Sequence, residues 1–183
     1  MSATARNRTF GFALAAAMLA ADQLVKWIVA GPLAMQNGDR IELLPIFALY
    51  RTHNYGVSLS LFRADSPEMR WALVAVTALI ALGVTVWLLR EKRLGDILGL
   101  GLVLGGALGN ILDRVRLGYV LDYADLHFGD FRPFLIFNLG DACITIGVLI
   151  ILARSLFMRE KPAETQSPVP GEPPQADPSA ETH

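Results

Sequence analysis

Cysteine is almost absent: Cys143 is the only one among 183 residues. No disulfide can close within the chain, and no multi-cysteine metal site can be built. Cys143 lies in an apolar run, where a free thiol behaves as a small buried hydrophobe rather than a nucleophile. Histidine is nearly as scarce. His53, His127 and His183 lie far apart and lack metal-ligand spacing, and His53 and His127 read as interfacial polar residues. No H-E-x-x-H zinc helix and no G-x-S-x-G nucleophile elbow is present. Gly105-Gly106 to Gly109 sits inside an apolar run and not after a soluble strand, so it is no phosphate loop. No metal and no cofactor is therefore expected. Charge is also sparse and balanced, with 16 Lys and Arg against 17 Asp and Glu. Without a basic block, a nucleic-acid partner is not expected.

What is abundant is apolar. Hydrophobic residues make up 53% of the chain, and the mean hydropathy is positive. That composition points to a membrane protein. Residues 10–30 start like a signal peptide, with Arg6 and Arg8 before a short Ala-rich core. The apolar run resumes after Asp22 and Gln23 and reaches the ~20 residues a spanning helix needs, so it reads as an uncleaved first span. Gly31-Pro32 ends it. Further spans are expected over residues 71–89, 97–112 and 134–157. Between the first two, residues 40–44, 46–52 and 57–62 read as short strands, with Asn54-Tyr55-Gly56 a turn. Ser66-Pro67 reads as an N-cap followed by proline at the first helical position. Residues 114–133 read as a polar loop. Gly101, Gly105 and Gly109 recur every fourth residue, marking a close-packing face on the third span. The expected fold is an all-α membrane protein, a four-transmembrane-helix bundle with a small extracytoplasmic β-structure. Residues 1–161 form it, and residues 162–183, rich in Pro and Glu and free of Lys and Arg, read as a disordered cytoplasmic tail.

Four spans put both termini on one side. The tight loop Arg90-Glu91-Lys92-Arg93 falls on that side too, and by the positive-inside rule it is cytoplasmic. The Asn and Asp residues then gather at the opposite, outer ends of the spans. Asp22 and Lys26 lie in the first, Asn54 in the first outer loop, and Asn110 and Asp113 at the outer end of the third. Asp122 lies in the second outer loop, and Asn138 and Asp141 in the outer part of the fourth. A carboxylate near bilayer depth costs roughly 2.5–3.5 kcal/mol on insertion scales, so such residues are read as functional.

Two aspartates sharing one proton can cleave a peptide bond, because like charges a few ångströms apart cannot both ionise easily. The ionised member draws a proton from water, and the protonated one polarises the carbonyl. Nearby Asn side chains can hold the peptide or the developing oxyanion. Spacing leaves open whether Asp113 or Asp122 partners Asp141. For Asp113 an ion pair with Arg114 or another neighbour is the expectation. Ser58 or Ser60 with Lys26 is a second arrangement the residues allow. A small transporter or proton-conducting protein is the rival from another class. It would need acids through the membrane depth, and the second span and the inner halves of the others carry none.

At these residues the chain resembles lipoprotein signal peptidase, the signal peptidase II family of bacterial inner-membrane aspartic proteases. The resemblance rests on Asp22-Gln23-Leu24-Val25-Lys26, Asn54-Tyr55-Gly56, Gly105-Gly106-Ala107-Leu108-Gly109-Asn110-Ile111-Leu112-Asp113-Arg114, Val120-Leu121-Asp122-Tyr123 and Phe137-Asn138-Leu139-Gly140-Asp141, in that order. It implies removal of the signal peptide from diacylglyceryl-modified prolipoproteins, with the cut before the lipidated cysteine. It implies Asp122 and Asp141 as the catalytic pair. Asp22, Lys26, Asn54, Gly56, Asn110, Asp113, Arg114 and Asn138 fall in its motifs as supporting residues, with no chemical step for Lys26. Membrane lipid is the other implied partner, and a monomer is expected. The family usually has Ala where this chain has Gly140, which is expected to loosen the start of the fourth helix. Val57 and Leu59 are bulkier than the family's usual residues.

Overall fold

The computed structural model describes residues 2–56, 66–129 and 131–157. The apolar runs form four helices, α1 (Ala3–Ala30), α2 (Pro67–Arg90), α3 (Leu94–Arg116) and α4 (Leu139–Phe157). Three strands, β1 (Arg40–Leu44), β2 (Phe47–Asn54) and β3 (Val120–Leu126), make one antiparallel sheet in that order. All four helices are long and apolar enough to cross a membrane. The outward faces of α2 and α4 carry Leu79, Leu82, Leu149 and Leu152, all exposed. An apolar belt of that extent is a lipid-facing surface.

The helix starts follow local chemistry. The Ser2 and Ser66 hydroxyls accept the backbone N–H of Ala5 at 3.2 Å and of Met69 at 3.3 Å, as N-caps do. Pro67 occupies the first turn of α2, where its missing N–H costs nothing. Both expected strands around Pro45 are present as β1 and β2. The strand expected over residues 57–62, the Ser58 and Ser60 arrangement and the tail 162–183 lie outside the described residues.

Three expectations need correction. α3 is longer than residues 97–112, so Arg114, read as the start of a loop, stands with Asp113 on its last turn. Residues 120–126, read as polar loop, are a strand. β3 is buried along nearly its whole length, between β2 and Phe137, so it lacks the alternation that marks a half-exposed strand. The fourth helix starts at Leu139, not at residue 134. Phe137 instead pairs with β3, donating its N–H to the Ala124 carbonyl at 3.1 Å and accepting the Ala124 N–H at 2.7 Å.

α3 is the central helix, packed against the other three. Its Gly101 and Gly105 face α1: a Cβ there would lie 2.7 Å from the Gly11 carbonyl oxygen and 2.6 Å from that of Ala15. A second glycine face, not read from the sequence, meets α4. There Gly106 abuts the Gly140 backbone, and a Cβ on Gly147 would lie 2.5 Å from the Gly99 carbonyl oxygen. Gly140 therefore sits at a tight helix crossing. α2 is peripheral and reaches the core through Val74, Ala81 and Leu88, seven residues apart on one stripe.

Ion pairs clamp both ends of the bundle. At one end the Arg154 guanidinium meets Asp96 at 2.8 Å, and Arg8 donates to the Glu91 carbonyl at 3.0 Å. On the sheet, buried Asp125 accepts from Arg40 at 2.5 Å and from Arg132 at 3.1 Å. Burial alone would raise the Asp125 carboxyl, but the bonds from Arg132 and Arg40 outweigh it and hold the group below the usual carboxylate range. That pairing ties the segment after β3 to the sheet.

Candidate active site

The helix end next to the sheet collects the polar residues singled out from the sequence. α1 brings Asp22 and Lys26, α3 brings Asn110, Asp113 and Arg114, and β2 ends in Asn54 with Gly56 just after it. β3 carries Asp122, and the start of α4 carries Asn138 and Asp141. Nearly all are buried, Asp22 and Asn138 at 0% exposure.

Asn138 and Asp141 form a capping box. The Asn138 side-chain oxygen accepts the Asp141 N–H at 3.0 Å, while the Asp141 carboxylate accepts the Asn138 N–H at 3.2 Å. The remaining early N–H groups of α4 find acceptors from elsewhere in the chain. Leu139 donates to the Tyr123 hydroxyl at 3.1 Å and Gly140 to the Asp22 carboxylate at 3.0 Å. A buried helix start with three side-chain acceptors is held rigidly in place. The carboxylate of Asp141 is thereby oriented, and its other oxygen accepts from Asn110 Nδ2 at 2.8 Å.

Asp122 faces the same place from β3. Asn138 Nδ2 donates to it at 2.5 Å and Asn54 Nδ2 at 3.0 Å. Asn54 is itself fixed by a turn in which its side-chain oxygen accepts the Gly56 N–H at 3.0 Å. Burial, and then the charge of Asp141, push the Asp122 carboxyl up to about 7, against the opposing pull of Asn138, Asn54 and Lys26.

Asp113 is occupied elsewhere. Its carboxylate takes Lys26 Nζ at 2.8 Å, Gln23 Nε2 at 2.9 Å and the Leu121 N–H at 3.2 Å. The expected ion pair exists, but with Lys26 rather than Arg114. Arg114 turns instead to the carbonyls of Gly56 at 2.9 Å and Asn110 at 3.4 Å. Its Nε is buried with no partner among the described residues.

A cavity of about 830 Å³ opens beside these groups. Asp122, Asp141, Asn54, Asn110 and Arg114 form its polar end. Leu73 and Ile80 of α2, Val103 of α3, Ile144 of α4 and the segment 133–137 make the rest apolar. Asp113, Cys143, His53 and His127 do not line it. His53 stacks on Tyr119 with ring centroids 3.8 Å apart, and burial and then Arg51 lower its pKa. His127 lies against Asp125 and Glu42. Among the described residues no three His, Cys, Asp or Glu side chains group as a metal site.

Sequence reasoning missed Tyr123 and Gln23 as supports. Tyr123 lies next to Asp122 in sequence, but nothing local marks its hydroxyl as a cap for α4. The apolar lining of the cavity was also invisible, because its residues look like ordinary membrane-span residues.

A largely apolar cavity whose polar end holds two carboxyls, each bonded by amide N–H groups, suits peptide hydrolysis by activated water. The comparisons identify a family of peptidases. The family model described as signal peptidase II matches residues 14–157. Lipoprotein signal peptidase of Sphingopyxis alaskensis is 52% identical over 158 residues, which cover 86% of this chain and 91% of that one. The protein of the same name from Rhizorhabdus wittichii is 53% identical over 160 residues, covering 86% of this chain and 93% of its own. A solved bacterial membrane enzyme superposes with a TM-score of 0.72 at 26% identity, over 85% of this chain and 95% of that one.

Proposed function

Because the chain belongs to the signal peptidase II family of proteases, we propose that Asp122 and Asp141 are the catalytic pair of an aspartic endopeptidase. Its substrates are diacylglyceryl-modified bacterial prolipoproteins, cut just before the lipidated cysteine. One observation carries this reading: these two aspartates, and not Asp113, end an apolar cavity bounded by α2, α3 and α4. A lipidated signal peptide brings apolar side chains and acyl chains to such a cavity, and its scissile amide to the polar end.

With its pKa at about 7, Asp122 holds the shared proton below neutral pH, and Asp141 acts as the base. Water bound between them gives a proton to Asp141 as its oxygen attacks the carbonyl carbon before the cysteine. Asp122 gives its proton to the carbonyl oxygen, and a tetrahedral diol forms. The C–N bond then breaks, the leaving amine takes the proton from Asp141, and the diol returns one to Asp122. Asn54, Asn110 and Asn138 hold the two carboxylates in register during these transfers. Arg114 at the polar end of the cavity offers its positive charge to the developing oxyanion.

The active site belongs at the outer membrane face, with both termini cytoplasmic. Supporting this, Arg8, Arg90, Lys92, Arg93 and Arg154 cluster at the bundle end away from the site. Proton conduction is not supported, because no acid stands along the helices between the site and Asp96. The test is cleavage of a diacylglyceryl-modified prolipoprotein by purified wild type, Asp122→Asn and Asp141→Asn, with folding checked by thermal melting. Both variants are expected to stay folded, with a cooperative melt, and to cleave nothing. Cleavage surviving in either removes that residue from the pair.

A further inference from the structure

We propose that Lys26 is a positioning residue for Asp141, acting through Asn110; this rests on the catalytic pair assigned above. Lys26 is buried, at 5% exposure, and does not itself line the cavity. Its ammonium has three N–H donors and no acceptor. All three are used: Asp22 at 2.7 Å, Asp113 at 2.8 Å and the side-chain oxygen of Asn110 at 3.2 Å.

The third bond has a consequence for catalysis. An Asn amide offers an oxygen on one side and an NH2 on the other, and a half-turn of the group exchanges them. Here one neighbour of the amide is a pure donor, the Lys26 ammonium. The other is the Asp141 carboxylate, which accepts from Asn110 Nδ2 at 2.8 Å. Only one orientation satisfies both. The flipped amide would aim NH2 at the ammonium and oxygen at the carboxylate, replacing two attractive contacts by two repulsive ones. Lys26 thus keeps a donor pointed at Asp141 Oδ1 and sets the direction of that carboxylate toward the cavity.

The ammonium itself cannot drift. Asp22 is one helical turn before it on α1, and Asp113 comes from α3, one turn beyond Asn110. The second oxygen of Asp22 is engaged by the Gly140 N–H of α4. Three helices therefore meet at one buried charge, and the amide that touches the reacting group is set by it. A simple counter-ion for Asp22 and Asp113 would not need the third bond.

The test is a mutant cycle on kcat and KM for cleavage of a diacylglyceryl-modified prolipoprotein by the full-length protein in detergent. Lys26→Arg keeps the buried charge but spreads its donors over a planar fork. It is expected to melt as wild type does, to lose about 10- to 100-fold in kcat, and to keep KM within about twofold. Combined with Asn110→Ala, it should be no slower than Asn110→Ala alone. Wild-type kcat in Lys26→Arg, or losses that multiply in the double variant, overturns the proposal and leaves Lys26 a counter-ion. If the guanidinium does not fit, Lys26→Met with Asp113→Asn removes the ammonium together with one of its acceptors, and the same cycle with Asn110→Ala decides. Asp141→Asn is run alongside. Wild-type cleavage there sinks the catalytic pair itself, whatever Lys26 shows.

Discussion

Asn138 and Asp122 are joined by a 2.5 Å hydrogen bond from the Asn138 side-chain nitrogen, while the oxygen of the same amide caps the helix that carries Asp141. One side chain thus sets the position of both carboxylates. Asn138→Asp should keep the cap, because Asp serves at that position as well as Asn. It would also aim an acceptor at Asp122 instead of a donor. Because a third carboxyl is then buried beside Asp122 and Asp141, a lower melting temperature and cleavage reduced at least ~100-fold are expected. Asn138→Ala should lose about 1 kcal/mol of stability as well. Wild-type turnover in Asn138→Asp would show that the Asn138 bond to Asp122 does not matter to the chemistry.

The pKa of Asp122 makes both activity and stability depend on pH. In the proposed mechanism the carboxyl is protonated when it acts as the acid, so kcat should fall about tenfold per unit as pH rises above about 7. Stability follows the same sign. Between the unfolded value, about 4, and the folded one, about 7, the folded chain holds a proton that the unfolded chain has released. Stability from this group is complete below that window and declines as pH rises through it. Asp122→Asn cannot ionise and should therefore melt above wild type at pH 8 and close to it at pH 4. Equal melting at both pH values would mean that the Asp122 carboxyl is not raised.

Two glycines should respond oppositely to the same change. A Cβ on Gly106 would meet the Gly140 carbonyl oxygen, which is backbone and cannot rotate away. Gly106→Ala should cost about 1–3 kcal/mol by forcing α3 and α4 apart, and cleavage should drop with it, because Asp141 rides on α4. Gly83 on α2 has open space where the Cβ would go. Gly83→Ala should be neutral or stabilising by up to about 1 kcal/mol. Thermal melts of the two variants side by side test the packing.

Asp113 is a support rather than part of the cavity wall. Asp113→Asn keeps an oxygen for the Leu121 N–H but weakens the grip on Lys26. Turnover should fall about tenfold without vanishing. Complete loss with an intact fold would move Asp113 into the chemistry.

How far the sequence reached differs from element to element. The runs over residues 10–30 and 71–89 became helices because length and apolarity are local properties, and local properties are written in order along the chain. β3 was missed because burial on both faces erases the alternation by which a strand is recognised. The start of α4 was misplaced because Phe134 to Phe137 are as apolar as a helix, whereas the true boundary is the capping box of Asn138 with Asp141. That signal is chemical rather than hydropathic.

By itself, the sequence determined that four apolar spans would carry their Asn and Asp residues to the same end, and that Gly101, Gly105 and Gly109 would share a face. Helical periodicity and bilayer thickness suffice for both. Only the tertiary structure decided which charges meet. Lys26 takes Asp22 and Asp113, Arg114 takes backbone carbonyls, and Asp122 rather than Asp113 faces the cavity with Asp141. Those choices depend on how α1, α3, α4 and β3 approach one another over separations of many residues. Buried polar groups must find partners wherever the packing puts them, and spacing along the chain does not encode that.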